Sequence, residues 1–241
     1  KHDSLVLILR DRNIEKSYYD SISEVYAALD EKEHEISKNF IKEFPNSLVS
    51  SHVLNIYKTK WGKEITNELF LSMSKERQES DEGQSIARFI ELNKNPQIGD
   101  KYIDFEQENL NGEKIRLSDI SGKVILLEFW ASWCGPCRRS NSELVKVYKQ
   151  YKDKGFEILG VSIDQDRDNW IEAIEKDSLL WENVSDLMGD ENEPKLIYGV
   201  CMIPDNFLIN EDAIIIDRRI KADKLQSKLE ELLASKAGPI P

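Results

Sequence analysis

Three cysteines in 241 residues are an odd number and too few for a disulfide-stapled scaffold, so composition alone does not fix a redox compartment. No stretch approaches the roughly 18 apolar residues that cross a bilayer, and no basic, apolar and small-residue pattern of a secretory signal is present. Positive charge is in deficit: 33 Lys and Arg stand against 45 Asp and Glu, a formal net charge of −12. Nucleic acid is thereby excluded as a partner, because phosphate-tracking surfaces concentrate lysine and arginine. The acid excess reads as a solvated face. Lys1 rather than Met stands first, as in a processed or trimmed chain whose export signal or membrane tether could lie outside this fragment.

What is present suffices for one large or two ordinary domains, with 40% hydrophobic and 32% charged residues. An apolar run at residues 4 to 9 reads as the last piece of an upstream element. From Tyr18 to Phe44 the apolar residues fall at steps of three and four, predicting a long amphipathic helix stopped by Pro45. Asn46 and Ser47 would cap a second helix through Tyr57. A third is expected from Lys63 to Met73 after Gly62, and a fourth around Ile86 to Leu92. This segment holds no cysteine and no Gly-rich loop, and its His34 and His52 read as surface or satisfied histidines rather than ligands. Residues 1–95 are therefore read as a helical domain with a recognition or spacing role. The polar stretch from Asn93 to Asp100, with Pro96 and Gly99, marks the boundary to a second domain, 96–241.

The second domain is read as α/β. Tyr102 to Phe105 and Lys114 to Leu117 flank Asn111-Gly112, a hairpin signal because both turn residues tolerate positive φ. Strands follow at Val124 to Trp130 and Phe156 to Ile163, with helices after each. A short helix is expected from Asn192 to Tyr198. A hairpin of Asn206 to Ile209 with Ala213 to Ile216 and a last helix over Leu225 to Leu233 complete the pattern.

Between the first of these strands and its helix lies Cys134-Gly-Pro-Cys137. The first turn of a helix has unpaired backbone N–H groups whose dipole favours an adjacent negative charge, so a thiolate there is stabilised. Residues three apart share a helix face, close enough for a disulfide, and Pro136 lacks only an N–H that would be unpaired in that turn. Cys134 is expected as the exposed nucleophile, with its pKa lowered into the range of about 3.5 to 7.5, and Cys137 as the resolving thiol. The competing reading is half a zinc site. It needs a second ligand pair, and only Cys201, His2, His34 and His52 are on offer, all remote in sequence.

The stretch Phe129-Trp-Ala-Ser-Trp-Cys-Gly-Pro-Cys137 resembles the active-site signature of thioredoxin-like proteins. Together with Ile98-Gly99, Asp104-Phe105, Asn111-Gly112, Leu117 to Lys123 and Ile203-Pro204, it resembles the TlpA/ResA-like thiol-disulfide oxidoreductases, AhpC/TSA-related members of that superfamily, over residues 96 to 241. The resemblance implies a thioredoxin-like fold with an added N-terminal β-hairpin, here preceded by an all-helical domain. It implies a redox disulfide between Cys134 and Cys137 and a disulfide-containing protein substrate. It also implies an upstream dithiol electron donor, no metal or organic cofactor, and work in the cell envelope or periplasm. Oxidant or isomerase activity, and a partner-binding module with a vestigial dithiol, stay open.

Around the dithiol, Glu128 is the only charge in an apolar strand expected to be buried on both faces, so its pKa should rise and it could exchange protons with a thiol. The resemblance puts it where thioredoxins carry a buried acid; the alternative is a side chain that reaches water or a lysine. Ile203-Pro204 precedes a strand, and the resemblance makes Pro204 a cis-proline facing the dithiol, with Ile203 offering its backbone to an extended substrate segment. Trp133 is expected to line the substrate surface and Trp130 to be core. Cys201 reads as a small buried hydrophobe or as a third thiol at the rim. Arg138 and Arg139 could favour the thiolate or simply cover a solvated face. Many relatives carry Glu and Pro shortly after the second cysteine, where this chain has Ser140 and Ser142.

Overall fold

The computed structural model describes Leu5, Ile8, Leu9 and residues 14 to 234. The apolar run at 4 to 9 lies, those three residues apart, outside the described residues. Two compact units divide the chain, Lys1–Ile90 and Glu91–Pro241.

The first unit is built from α1 (Lys16–Glu43), α2 (Leu48–Leu71), the single turn α3 (Lys75–Gln78) and α4 (Asp81–Leu92), whose last two residues are counted with the second unit. Pro45 follows α1 and disfavours the helical conformation of the residue before it, and Ser47 caps α2 by accepting the Val49 N–H at 3.2 Å. Gly62 (φ 80°) interrupts α2, so its two halves are the separate helices expected on either side of that glycine. Ile41, Leu54, Trp61, Leu69, Met73 and Ile86 form the core of this unit. His34 departs from expectation. It is buried, edge-on to Tyr57 with ring centroids 4.7 Å apart, and its ring nitrogens make no hydrogen bond. Burial lowers its pKa and favours the neutral ring, although the Asp30 carboxylate lies 3.5 Å from Nε2. His52 is exposed.

The second unit is one seven-stranded mixed sheet. Its strands are β1 (Glu106–Asn109), β2 (Lys114–Arg116), β3 (Val124–Trp130), β4 (Phe156–Ser162), β5 (Glu182–Ser185), β6 (Asp205–Asn210) and β7 (Ile215–Arg218), in the order β2-β1-β5-β4-β3-β6-β7. β3, β4 and β5 run parallel; β6 and β7 continue antiparallel on one side, and β1 and β2 on the other. The helices are α5 (Gly135–Tyr151), α6 (Arg167–Asp177), α7 (Glu193–Tyr198) and α8 (Ala222–Ala234).

Side chains alternate across a strand, and β3 shows the division of the core. Val124, Leu126 and Trp130 join the cluster that contains Leu144 and Tyr148 of α5, Trp170 of α6 and Leu225 and Leu229 of α8. Ile125, Leu127 and Phe129 join Ile197 and Tyr198 of α7 on the other face. With both faces covered, every residue of β3 is buried.

Three sequence expectations need correction. The hairpin pairs Glu106 to Glu108 with Lys114 to Arg116 instead of starting at Tyr102. Its loop has three residues, closed by Asn109 N–H donating to the Glu113 carbonyl, and only Gly112 takes positive φ. The Asn109 side chain fixes this loop by accepting the backbone N–H of Asn111 and Glu113, whereas Tyr102 pairs with Ala213 in another part of the sheet. β5 escaped the sequence reading altogether, because Glu182 to Ser185 contains one aliphatic residue and no alternation. The partner of β6 begins at Ile215, not at Ala213, whose positive φ places it in the turn.

Candidate active site

β3 ends in a loop that feeds α5, and Cys134 is the N-cap of that helix. Its Sγ accepts the Cys137 N–H at 3.1 Å, one of the donors a helix start leaves unpaired. Pro136 sits in the first turn, and the Cys134 N–H is held by the Ala131 carbonyl. Cys134 and Cys137 form a disulfide with their Cα atoms 5.2 Å apart. Cys134 keeps 5% of its surface and Cys137 none, so Cys134 is the outer sulfur of the pair but is nearly covered rather than exposed. Its side chain turns inward to reach Cys137.

The loop before the dithiol is pinned from β4. Asp164, buried just past the end of that strand, accepts the Ser132 N–H at 2.9 Å, the Ser132 Oγ–H at 2.6 Å and the Ser162 Oγ–H at 2.7 Å. Arg138 reaches back to donate to the Ser132 carbonyl at 3.1 Å while its other nitrogens bond Asp177 of α6. Its guanidinium is a structural clamp. Nothing in the sequence singles out Asp164, the first of three acids (Asp164, Asp166, Asp168) that follow the apolar strand. Trp133, between Ser132 and Cys134, stands 66% exposed, and Trp130 is core, donating its indole N–H to Asn183 at 3.1 Å. That bond crosses Gly160, where a Cβ would stand 2.3 Å from the Asn183 oxygen.

Glu128 is 1% exposed and shares the β3 face of Val124, Leu126 and Trp130, the face whose cluster includes Cys134 and Cys137. Among the described residues, neither carboxyl oxygen has a partner in good hydrogen-bond geometry, although the Asn206 amide lies near enough to act on the carboxyl. Burial pushes its pKa up to about 8; the Asn206 amide across the strand pair pulls the other way, and the nearby Asp205 charge adds to the rise. Among the described residues, no lysine pairs with it.

On the other side of the dithiol helix, the Ile203–Pro204 peptide is cis and Pro204 is exposed just ahead of β6. Ile203 is half-buried against both cores. The backbone of Cys201, Met202 and Ile203 makes no hydrogen bond among the described residues. Cys201 is a free and exposed thiol, which corrects its reading as a buried hydrophobe: the loop after Gly199 lifts it off the sheet. Asp205, the next residue after Pro204, is buried and bonded by Arg218 at 2.8 Å and by Arg219 at 3.3 Å. Nothing local marks this trio, because Asp205 stands on β6 while Arg218 and Arg219 come from the end of β7 and the residue after it.

Residues 98–218, half of the chain, match the family model described as AhpC/TSA. The chain belongs to the AhpC/TSA family. Among its AhpC/TSA relatives, thiol-disulfide oxidoreductase ResA of Bacillus thuringiensis subsp. konkukian is 32% identical over 137 residues, covering 57% of this chain and 77% of that protein. The ResA of Oceanobacillus iheyensis is 30% identical over 154 residues, with 61% and 79% covered. A solved thiol-disulfide oxidoreductase from Bacteroides fragilis superposes with a TM-score of 0.52 at 38% identity over 55% of this chain and 99% of that one. The thioredoxin domain of a thiol-disulfide oxidoreductase from Bacteroides vulgatus gives 0.52 at 29% identity over 57% and 99%. The fold is thus thioredoxin-like, with a helical region ahead of the sheet. No helix among the described residues is long and apolar enough to cross a membrane.

Proposed function

We propose that this thiol-disulfide oxidoreductase of the AhpC/TSA family is a reductant of protein disulfides. The observation that carries the reading is the Cys134 sulfur at the head of α5, accepting the Cys137 N–H. In the reduced protein, that position would hold a thiolate. The Cys134 thiolate attacks one sulfur of a substrate disulfide, forming a mixed disulfide and expelling the first substrate thiolate. Cys137, losing its proton toward Glu128, attacks the Cys134 sulfur and expels the second. Two electrons pass to the substrate, whose thiolates take up two protons, and the Cys134–Cys137 disulfide remains for an upstream dithiol donor to reduce. A carboxyl with a pKa of about 8 suits proton exchange near neutrality.

The unpaired backbone of Ile203 beside Pro204 supplies donors and acceptors for an extended substrate segment, with Trp133 as an apolar contact on the opposite rim. The TlpA/ResA-like resemblance supports work in the cell envelope. Residues 1–95 are proposed as a separate helical domain that recognises a partner or spaces the redox domain from one.

Insulin reduction by the protein with a dithiol donor tests the activity: wild type should turn over, Cys134→Ser should not, and Cys137→Ser should accumulate mixed disulfides. A reduction potential near −270 mV supports the reductant direction, and one near −120 mV, both approximate, reverses it.

A further inference from the structure

The groove beside Pro204 has a volume of about 600 Å³ and is lined by Arg139, Arg219 and Lys221, with Glu143 and Asp223 as its acids. Three cations meeting there is at odds with a chain of net charge −12. The two arginines stand at the end nearest the chemistry. An Arg139 guanidinium nitrogen comes within 3.6 Å of where a Gly135 Cβ would be, so this side chain folds back along α5 to the turn between the two cysteines. Arg219 contacts Asp205, which directly follows Pro204. Glu143 lies eight residues beyond Gly135, about 12 Å further along the axis of α5. Arg139 and Lys221 have no ion-pair partner among the described residues.

We infer that this groove selects its substrate: the protein prefers disulfides in extended segments that carry Asp or Glu beside the reactive cysteine. The inference rests on the reductant reading and adds the substrate's charge to it. In a segment pairing with the free Ile203 backbone the two neighbours of the attacked cysteine share one face, about 7 Å apart along the strand, a spacing at which one meets Arg139 and the other Arg219 and Lys221. Ion pairs at a solvent-facing rim act chiefly on encounter and specificity, and they weaken with salt.

The test uses the full chain, reduced, with three oxidised peptides that differ only in having Asp, Asn or Lys on either side of a disulfide-bonded cysteine. At low salt the Asp peptide should show a kcat/KM about tenfold above that of the Lys peptide, the size expected of two or three exposed charge contacts. The ratio should fall several-fold at about 0.5 M salt. In Arg139→Gln and Lys221→Gln, the Asp-to-Asn ratio should move toward one. Equal rates for all three peptides with wild type would overturn the inference while leaving the reductant reading intact. So would an Arg139→Gln protein that slows every peptide alike, since that outcome assigns Arg139 to the thiolate. If no peptide is reduced, the reductant reading itself fails and the inference goes with it.

Discussion

The carboxylate of Asp205, fully withdrawn from solvent, is held by the Arg218 guanidinium at 2.8 Å. The same guanidinium reaches the Gly199 carbonyl at 3.4 Å and lies 4.5 Å from the centre of the Phe207 ring. Gly199 and Asp205 are the two ends of the loop that carries Cys201 and Pro204, so one side chain ties the loop shut at its base.

Arg218→Met should therefore destabilise the protein, because removing one member of a buried pair leaves a charge without compensation. The cost expected is about 2–4 kcal/mol, at the lower end of such losses, since Arg219 still contacts Asp205 at 3.3 Å. Adding Asp205→Asn to the same protein should recover a good part of it. Urea unfolding of the two single variants and the double variant measures the coupling, and additive losses would refute the clamp.

Glu128 makes the opposite kind of contribution. Its carboxyl ionises near the ordinary value of 4.5 when unfolded but only at about 8 when folded. Between those values the native state binds the extra proton, so each rise in pH favours unfolding, and the penalty is complete above about pH 8. Glu128→Gln should gain stability relative to wild type as pH rises from about 4.5 to 8, by a few kcal/mol at most. The same variant should slow turnover, having lost the proton acceptor. Denaturation midpoints at both pH values check the first statement; a gap that does not widen with pH would contradict it.

How far these features were legible depends on whether their cause was local. Cys134, Pro136 and Cys137 act through a helix start, and a helix start is written in consecutive residues. Glu128 was visible as one charge in an apolar run. Asp164 and Asp205 were not, because what makes them matter is a partner brought by another element: Ser132 from the β3 loop and Arg218 from β7. β5 was lost for a related reason. Its residues are polar, and it is a strand because β4 and β1 pair with it. Of the two readings open for Cys201, exposure leaves the thiol at the rim; free cysteine is usually buried, and nothing local announces that its loop leaves the sheet.

That exposed thiol gives a direct chemical check. In the oxidised protein, Cys134 and Cys137 are bonded to each other and Cys201 is free. Without reductant, a maleimide should label one site rapidly, and Cys201→Ser should abolish that labelling. Intact mass measurement counts the adducts. A wild-type protein that stays unlabelled until denatured would show that Cys201 is covered.

Asp164 offers the sharpest separation of scaffold from chemistry. Its two oxygens accept from the Ser132 N–H, the Ser132 hydroxyl and the Ser162 hydroxyl, and the loop so held leads directly through Trp133 to Cys134. Asp164→Asn removes the charge and turns one acceptor oxygen into an NH2, so the group facing that atom must give up its donor role and its charge-assisted hydrogen bond is lost. The expected cost is about 2–3 kcal/mol. Ser132→Ala removes a single hydroxyl donor and should cost nearer 1 kcal/mol. Because loop geometry sets the position of the sulfur, Asp164→Asn should also reduce kcat/KM for insulin reduction well beyond the effect of Ser132→Ala, even under conditions where both proteins are fully folded. Equal activities in folded samples of the two variants would mean that Asp164 holds the loop for stability alone.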